Sequence, residues 1–269
     1  MDRQVRSPTV ARLRYRSTVA SGKRVVLVTG GTRGIGRGIC ERFVAAGDTV
    51  VTCGRNAPEA PARGVEFEAA DVRDPDQVAQ LIDTVTARHG RLDVVVNNAG
   101  GSPYALAADA SPRFSTAIVT LNLIAPLHVS QRANTVMQQQ DGGGVIVNIG
   151  SVSGIRPSPG TAAYGAAKAG LINLTATLAV EWAPRVRVNC VTVGLVRTDQ
   201  SALHYGDEEG VARVAATVPL GRMAEPSDVA DVCAFLASPA AAYVSGANVV
   251  LHGGGERPAF LDAANAEHQ

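Results

Sequence analysis

Only two of the 25 basic residues in this chain are lysines, Lys23 and Lys168, and Lys168 stands four residues after Tyr164 in the run Tyr164-Gly165-Ala166-Ala167-Lys168. A helix puts positions i and i+4 on one face, so this spacing aims a phenol and an ammonium into one site. Arginine could not do the same work: a guanidinium stays charged and forks its donors, whereas an ammonium is a compact charge that can tune a neighbour. A free tyrosine has a pKa of about 10 and needs a nearby cation to exchange protons near neutrality. Taken alone, Tyr-x-x-x-Lys also describes an ordinary exposed helix pair.

Two further features favour chemistry. Ser151 ends the apolar run Val145 to Ile149 and opens a Gly/Ser-rich loop, Gly150 to Gly154. A hydroxyl at the C-terminal end of a buried strand faces the crevice where open α/β sheets bind ligands. Near the front, Val25 to Val28 breaks into Thr29-Gly30-Gly31-Thr32-Arg33-Gly34-Ile35-Gly36, followed by the helical pattern Ile39, Phe43, Val44. Strand, glycine turn and helix in that order make a phosphate cradle, because glycines permit close approach and the helix N-terminus supplies free N–H groups and partial positive charge.

With Asp71-Val72, Asn97-Asn98-Ala99-Gly100, Asn122, Val244-Ser245-Gly246 and Gly253-Gly254 in the same order, the chain resembles the short-chain dehydrogenase/reductase family over about residues 23 to 256, and within it the 3-oxoacyl-(acyl-carrier-protein) reductase-like members. The resemblance implies an α/β fold: a Rossmann-type doubly wound parallel sheet, three-layer α/β/α, as a single domain. It implies that Tyr164 exchanges the proton, Lys168 lowers its pKa and holds the nicotinamide ribose, Ser151 holds the carbonyl oxygen, and Asn122 completes a water-borne proton relay. Asp71 and Val72 would meet the adenine. Gly30, Thr32, Arg33, Gly34, Ile35, Gly36, Asn98, Ala99 and Gly100 would line the cofactor cleft, and Val196 and Thr198 would meet the carboxamide and diphosphate.

The rest of the sequence agrees with that outline. At 269 residues and 46% hydrophobic content the chain can bury one large core. Strand-like runs at Val25 to Val28, Thr49 to Cys53, Val94 to Asn97, Val145 to Ile149, Val186 to Val191 and Asn248 to Leu251 alternate with helical stretches, which implies parallel strands with helical crossovers. Four scattered cysteines and five histidines form no ligand spacing, so no metal is expected, and strand cysteines suit a reducing cytoplasm. Residues 1 to 24 carry six arginines and Lys23 against Asp2. That basic arm, residues 1–22, reads as a disordered extension or mis-chosen start, with a targeting segment or nucleic-acid contact as alternatives. No run is long and apolar enough to span a membrane, and neither membrane nor nucleic acid is expected as a partner.

Cofactor choice can be argued from charge. Users of NAD place a carboxylate at the end of the second strand to grip the ribose 2′-hydroxyl. Here the strand ends Cys53-Gly54-Arg55; the resemblance places Gly54 where the acid would stand, with Arg55 beside it and Arg33 within reach. Two guanidiniums and no acid suit a 2′-phosphate, hence NADP(H) rather than NAD(H). The resemblance implies interconversion of a ketone and a secondary alcohol on an apolar substrate, a 3-oxoacyl thioester or a steroid-like or other hydrophobic carbonyl, with a non-catalytic dinucleotide sensor or an NAD-dependent alcohol dehydrogenase as alternatives. Two departures from the family pattern stand out: Val193-Gly194 replaces Pro-Gly, which frees a φ angle, and Gly150 replaces a serine. Leu195 to Met223 should cover the substrate with Leu203, Tyr205, Val211 and Val214, and its acidic cluster Asp207-Glu208-Glu209 would oppose docking of an acidic carrier protein. The apolar C-terminal third (Val229, Val232, Phe235 and Leu236, then a terminal strand with Val244, Val249, Val250 and Leu251) implies an edge strand that needs a cover, and the resemblance implies that the cover is another subunit in a homodimer or homotetramer; the tail 257–269 either reaches across with Phe260 and Leu261 as anchors or frays.

Overall fold

The computed structural model describes residues 23–201, 205–259 and 263. The basic arm, Leu203 and the tail anchors Phe260 and Leu261 lie outside the described residues. Seven parallel strands form one sheet in the order β3-β2-β1-β4-β5-β6-β7. They are β1 (Val25–Thr29), β2 (Thr49–Gly54), β3 (Val65–Ala69), β4 (Val94–Asn97), β5 (Gly144–Ser151), β6 (Val186–Val193) and β7 (Asn248–Leu251).

Six of these coincide with the apolar runs of the sequence; β3 is an addition. Its residues, Val65-Glu66-Phe67-Glu68-Ala69, alternate apolar and acidic and are none of them fully buried, because β3 is an edge strand. Glu66 and Glu68 both pair with Arg88, so the charges that hide the strand from a search for apolar runs tie it to the next helix. The other edge is β7, as the sequence implied.

The central strands are buried on both faces, and alternate residues feed two cores. Leu27, Val51, Val95, Ile146 and Val188 pack with helices α2 (Pro75–His89), α4 (Ala125–Met137) and α5 (Ala162–Glu181), α3 being the short helix Pro112–Val119. Val26, Val28, Val50, Val96, Val147 and Val191 pack on the opposite face with α1 (Gly34–Ala45) and the helix Pro226–Leu236. The order reverses between β1 and β4, which opens a crevice at the carboxyl ends of those strands.

A buried polar chain holds β4 against β5. Asn97 Nδ2 donates to Asn148 Oδ1 at 2.8 Å and Ser130 Oγ at 2.9 Å, and Asn148 Nδ2 donates to Thr175 Oγ1 at 2.9 Å. All four residues are at most 2% exposed. Replacing Asn148 with alanine would strand the Asn97 donor and the Thr175 acceptor in an apolar layer. The expected cost is about 2 to 4 kcal/mol of unfolding free energy in urea titration, and a loss under about 0.5 kcal/mol would show that the chain carries no structural weight.

Candidate active site

The glycine turn after β1 is pinned from both sides. Thr29 Oγ1 accepts the Asn98 and Ala99 N–H groups at 3.0 Å each, and Asn98 Nδ2 donates back to Thr29 O at 2.9 Å. Gly31 N donates to Thr52 Oγ1 at 2.8 Å, which donates in turn to Val28 O. A Cβ at Gly31 would lie 2.4 Å from Thr52 Oγ1, and one at Gly36 would lie 2.4 Å from Gly30 O. No side chain caps the N-terminus of α1. The glycines thus clear a concave backbone surface, and the first N–H groups of α1 are left for an anion, which fits a dinucleotide diphosphate.

All the cofactor contacts expected from the sequence meet in one cleft of about 740 Å³: Gly30, Thr32 to Gly36, Arg55, Asp71, Val72, Asn98 to Gly100, Tyr164, Lys168, Val196 and Thr198. At its adenosine end, Gly54 closes β2 with no acid, and Arg33 and Arg55 are exposed. The sequence reading missed Arg73, which lines the same end. Its guanidinium grips Asp71 through two nitrogens and holds that carboxyl below the usual range. Asp71 is thereby paired, Asp199 lines the cleft near Gly34, and Arg33 and Arg55 are in no ion pair within the described residues.

At the other end, Ser151 is the last residue of β5, and Tyr164 and Lys168 sit in the first two turns of α5. Lys168 is 3% exposed; its Nζ donates to Ile149 O at 2.7 Å and lies 5.6 Å from the centre of the Tyr164 ring. Burial pushes the Lys168 pKa down to about 8. Burial raises the Tyr164 phenol, and a hydrogen bond with Ser151 opposes that rise. The expected lowering of the phenol by Lys168 does not show in this arrangement, where the ammonium engages a strand carbonyl.

Asn122 does not line the cleft. It is fully buried in a turn of π-helix, Thr120–Ile124, where its Nδ2 donates to Gly101 O and Ile118 O and its Oδ1 accepts Gly101 N–H, each at 2.9 Å. The carboxamide fixes the cleft wall: a Cβ at Gly100 would lie 2.7 Å from Asn122 Oδ1 and 3.4 Å from Lys168 Nζ.

Both departures from the family pattern have compensations. Val193 is still in β6, registered with Ser151 on one side and Leu251 on the other, and Gly194 N donates to Leu251 O at 2.8 Å. The ladder supplies the rigidity that a proline would. Val196 is then fixed by a bridge to Ala224. At Gly150 a Cβ would lie 2.8 Å from Cys190 Sγ and 2.9 Å from Thr192 Oγ1, so these neighbours fill the space of a serine side chain. The acidic cluster is a helix start: Asp207 caps the helix Glu208–Ala216, Glu208 pairs with Arg197, and Glu209 pairs with Arg213. It therefore carries no weight against an acidic carrier.

A family model described as enoyl-(acyl carrier protein) reductase matches residues 30–256. The chain is 36% identical over 235 residues to a 3alpha-hydroxysteroid dehydrogenase of Mediterraneibacter gnavus, covering 83% of this chain and 93% of that one. It is 34% identical over 242 residues to the 3-oxoacyl-(acyl-carrier-protein) reductase FabG of Thermotoga maritima, covering 86% and 97%. The ligand-free structure of Thermoplasma acidophilum aldohexose dehydrogenase superposes with a TM-score of 0.83 at 30% identity, covering 92% of this chain and 97% of that one.

Because the chain has two lysines, selective ¹³C labelling of lysine gives two sets of signals, and Lys168→Met assigns them. The Lys168 Cε signal is expected to titrate with a midpoint near pH 8. A midpoint near the free value of about 10.4 would mean that Lys168 is solvated.

Proposed function

The chain belongs to the short-chain dehydrogenase/reductase family, and we propose that it is an NADP(H)-dependent oxidoreductase interconverting a ketone and a secondary alcohol on an apolar substrate. The observation that supports this most directly is the meeting of Ser151, Tyr164 and Lys168 at one end of a cleft whose other end carries two unpaired arginines. When bound, the nicotinamide supplies or accepts the hydride.

The protein's own groups do the remainder. The Gly30 to Gly36 turn and Thr198 would hold the diphosphate, Val196 would meet the carboxamide, and Val72 would meet the adenine. Ser151 at the rim of β5 donates to the substrate oxygen and orients it against Tyr164. The buried phenol keeps its proton at neutral pH, so Tyr164 can give it to an oxygen that gains negative charge. Lys168 remains largely protonated below about pH 8 and stands 5.6 Å from the centre of the Tyr164 ring, where its charge would face the phenolate left after proton transfer. Asn122 acts by positioning: it holds Gly101 and, through Gly100, the wall beside the Lys168 ammonium.

Two features of the surroundings fit the same reading. The four cysteines are buried and free, which suits a reducing compartment such as the cytoplasm. Tyr243, Phe235 at 47% and Val250 at 41% exposure leave apolar surface around the β7 edge, which a second copy of the chain would cover in a dimer or tetramer.

If Arg33 and Arg55 hold a 2′-phosphate, NADPH binds more tightly than NADH, by about tenfold to a hundredfold per contact at roughly 1.5 to 3 kcal/mol each. The double alanine variant should erase the preference, whereas equal affinities in the unmodified protein would refute it. In the same assay, Tyr164→Phe should lose most turnover and keep cofactor affinity; near-full turnover would dismiss the phenol as proton donor. Light scattering at micromolar concentration should give a multiple of 27.8 kDa, and a clean monomer would end the edge-covering argument.

A further inference from the structure

A second cavity, of about 190 Å³, lies beside Ser151 where the chain leaves β5, β6 and β7. Val152, Ile155 and Leu195 supply its apolar wall, and Gly194 lines both this cavity and the cofactor cleft, so the two adjoin at the catalytic end. An ion pair between Arg156, just after β5, and Glu256, just after β7, forms part of its wall. Tyr205, from the cofactor cleft, lies within electrostatic reach of both charges.

The ion pair alone would be a soft barrier, because both side chains are about one-third exposed, at 37% and 34%. The backbone that carries Glu256 is firmer. Leu220 N donates to Gly253 O at 3.1 Å, Gly255 N to His252 O at 3.0 Å, and Arg257 N to Thr217 O at 3.0 Å. Segment 252–257 is thereby laced to 217–220 and cannot swing away without breaking backbone bonds.

Size and charge then limit what can enter. An apolar cavity of about 150 Å³ takes one benzene ring, so this one holds a single ring or a short alkyl chain. Four fused rings do not fit. The ion pair in its wall is neutral overall, and His252 completes the polar part of the lining.

We propose that this cavity receives the substituent beyond the reacting carbon, and that the Arg156–Glu256 pair sets its length. The substrate is then a compact, uncharged ketone or secondary alcohol with a substituent near the size of a phenyl ring, rather than a steroid or a long-chain acyl thioester. This rests on the ketone and alcohol reading given above.

The test measures both turnover and equilibrium binding in the cofactor-loaded protein, with 2-butanone, phenyl methyl ketone, 2-dodecanone and a 3-ketosteroid. The unmodified protein should favour phenyl methyl ketone over the two large ketones by at least about tenfold in kcat/KM and in affinity. Glu256→Ala should shrink that ratio, and the exchange of Arg156→Glu with Glu256→Arg should restore it. Handling of 2-dodecanone or the steroid within about threefold of phenyl methyl ketone overturns the proposal, as does a ratio unmoved by Glu256→Ala. If a variant fails to fold, the comparison in the unmodified protein decides alone. Size-limited binding with no turnover would support the cavity and remove the oxidoreductase reading, so the two failures are separable.

Discussion

The site depends on keeping a cation dry. Lys168 is 3% exposed, and burial takes its pKa from 10.5 to about 8. At about 1.36 kcal/mol per unit, that is about 3 kcal/mol by which the fold disfavours the charge. The ammonium is held by the Ile149 carbonyl, whose position requires the end of β5 to lie against the start of α5. That closeness has a steric condition. A Cβ at Gly154 would lie 2.8 Å from the Lys168 backbone, and one at Gly165 would lie 2.6 Å from Ser153 O. Only with both glycines can the short turn Val152–Gly154 lie flat on the first turns of α5, and only then does the ammonium reach the strand carbonyl.

The same constraint extends to the opposite wall. Gly100 faces both Asn122 Oδ1 and Lys168 Nζ, with no room for a side chain between them. Asn122 reaches that place because the chain adopts a π-helical turn at Thr120–Ile124, which shifts the register between two ordinary helices. Turns of this kind strain the regular i to i+4 ladder, and the buried carboxamide compensates by accepting one backbone N–H and donating to two carbonyls. Asn122 therefore contributes through the shape of the cleft.

How much of the molecule is legible in its sequence depends on which signals are local. The glycine turn, the strand before Ser151 and the Tyr164/Lys168 spacing are short patterns of residue type, and the structure brings all of them to one cleft. Strands β1, β2, β4, β5, β6 and β7 announce themselves as apolar runs because they contain buried or β-branched residues. Strand β3 does not, since its acidic residues pair with Arg88 in the next helix, and neither charge is a strand signal on its own. The Asp71–Arg73 clamp is equally hidden: each residue is ordinary, and only the cleft shows that the two pair beside Arg55. The Val193 departure reads as a loss of rigidity because a φ constraint is visible in sequence and a ladder bond is not.

Chemistry and selectivity are placed on different kinds of structure. Ser151, Tyr164 and Lys168 are attached to β5 and α5, where sheet pairing and core packing on both sides fix them. The second cavity is bounded by residues just beyond the ends of β5, β6 and β7, and its lining includes a pair of charges on two separate connections. Arg156 and Glu256 are both part-exposed, and neither belongs to a strand of the sheet or to the Asn97–Asn148 chain. Loops held by a rigid sheet can therefore alter the space offered to a substituent while the proton-transfer geometry stays constant. Relatives whose names refer to a hydroxysteroid, a 3-oxoacyl group and an aldohexose share more than four-fifths of this chain's length with it. Reacting groups on the scaffold and a size limit on its connections would let one fold carry so wide a range of names.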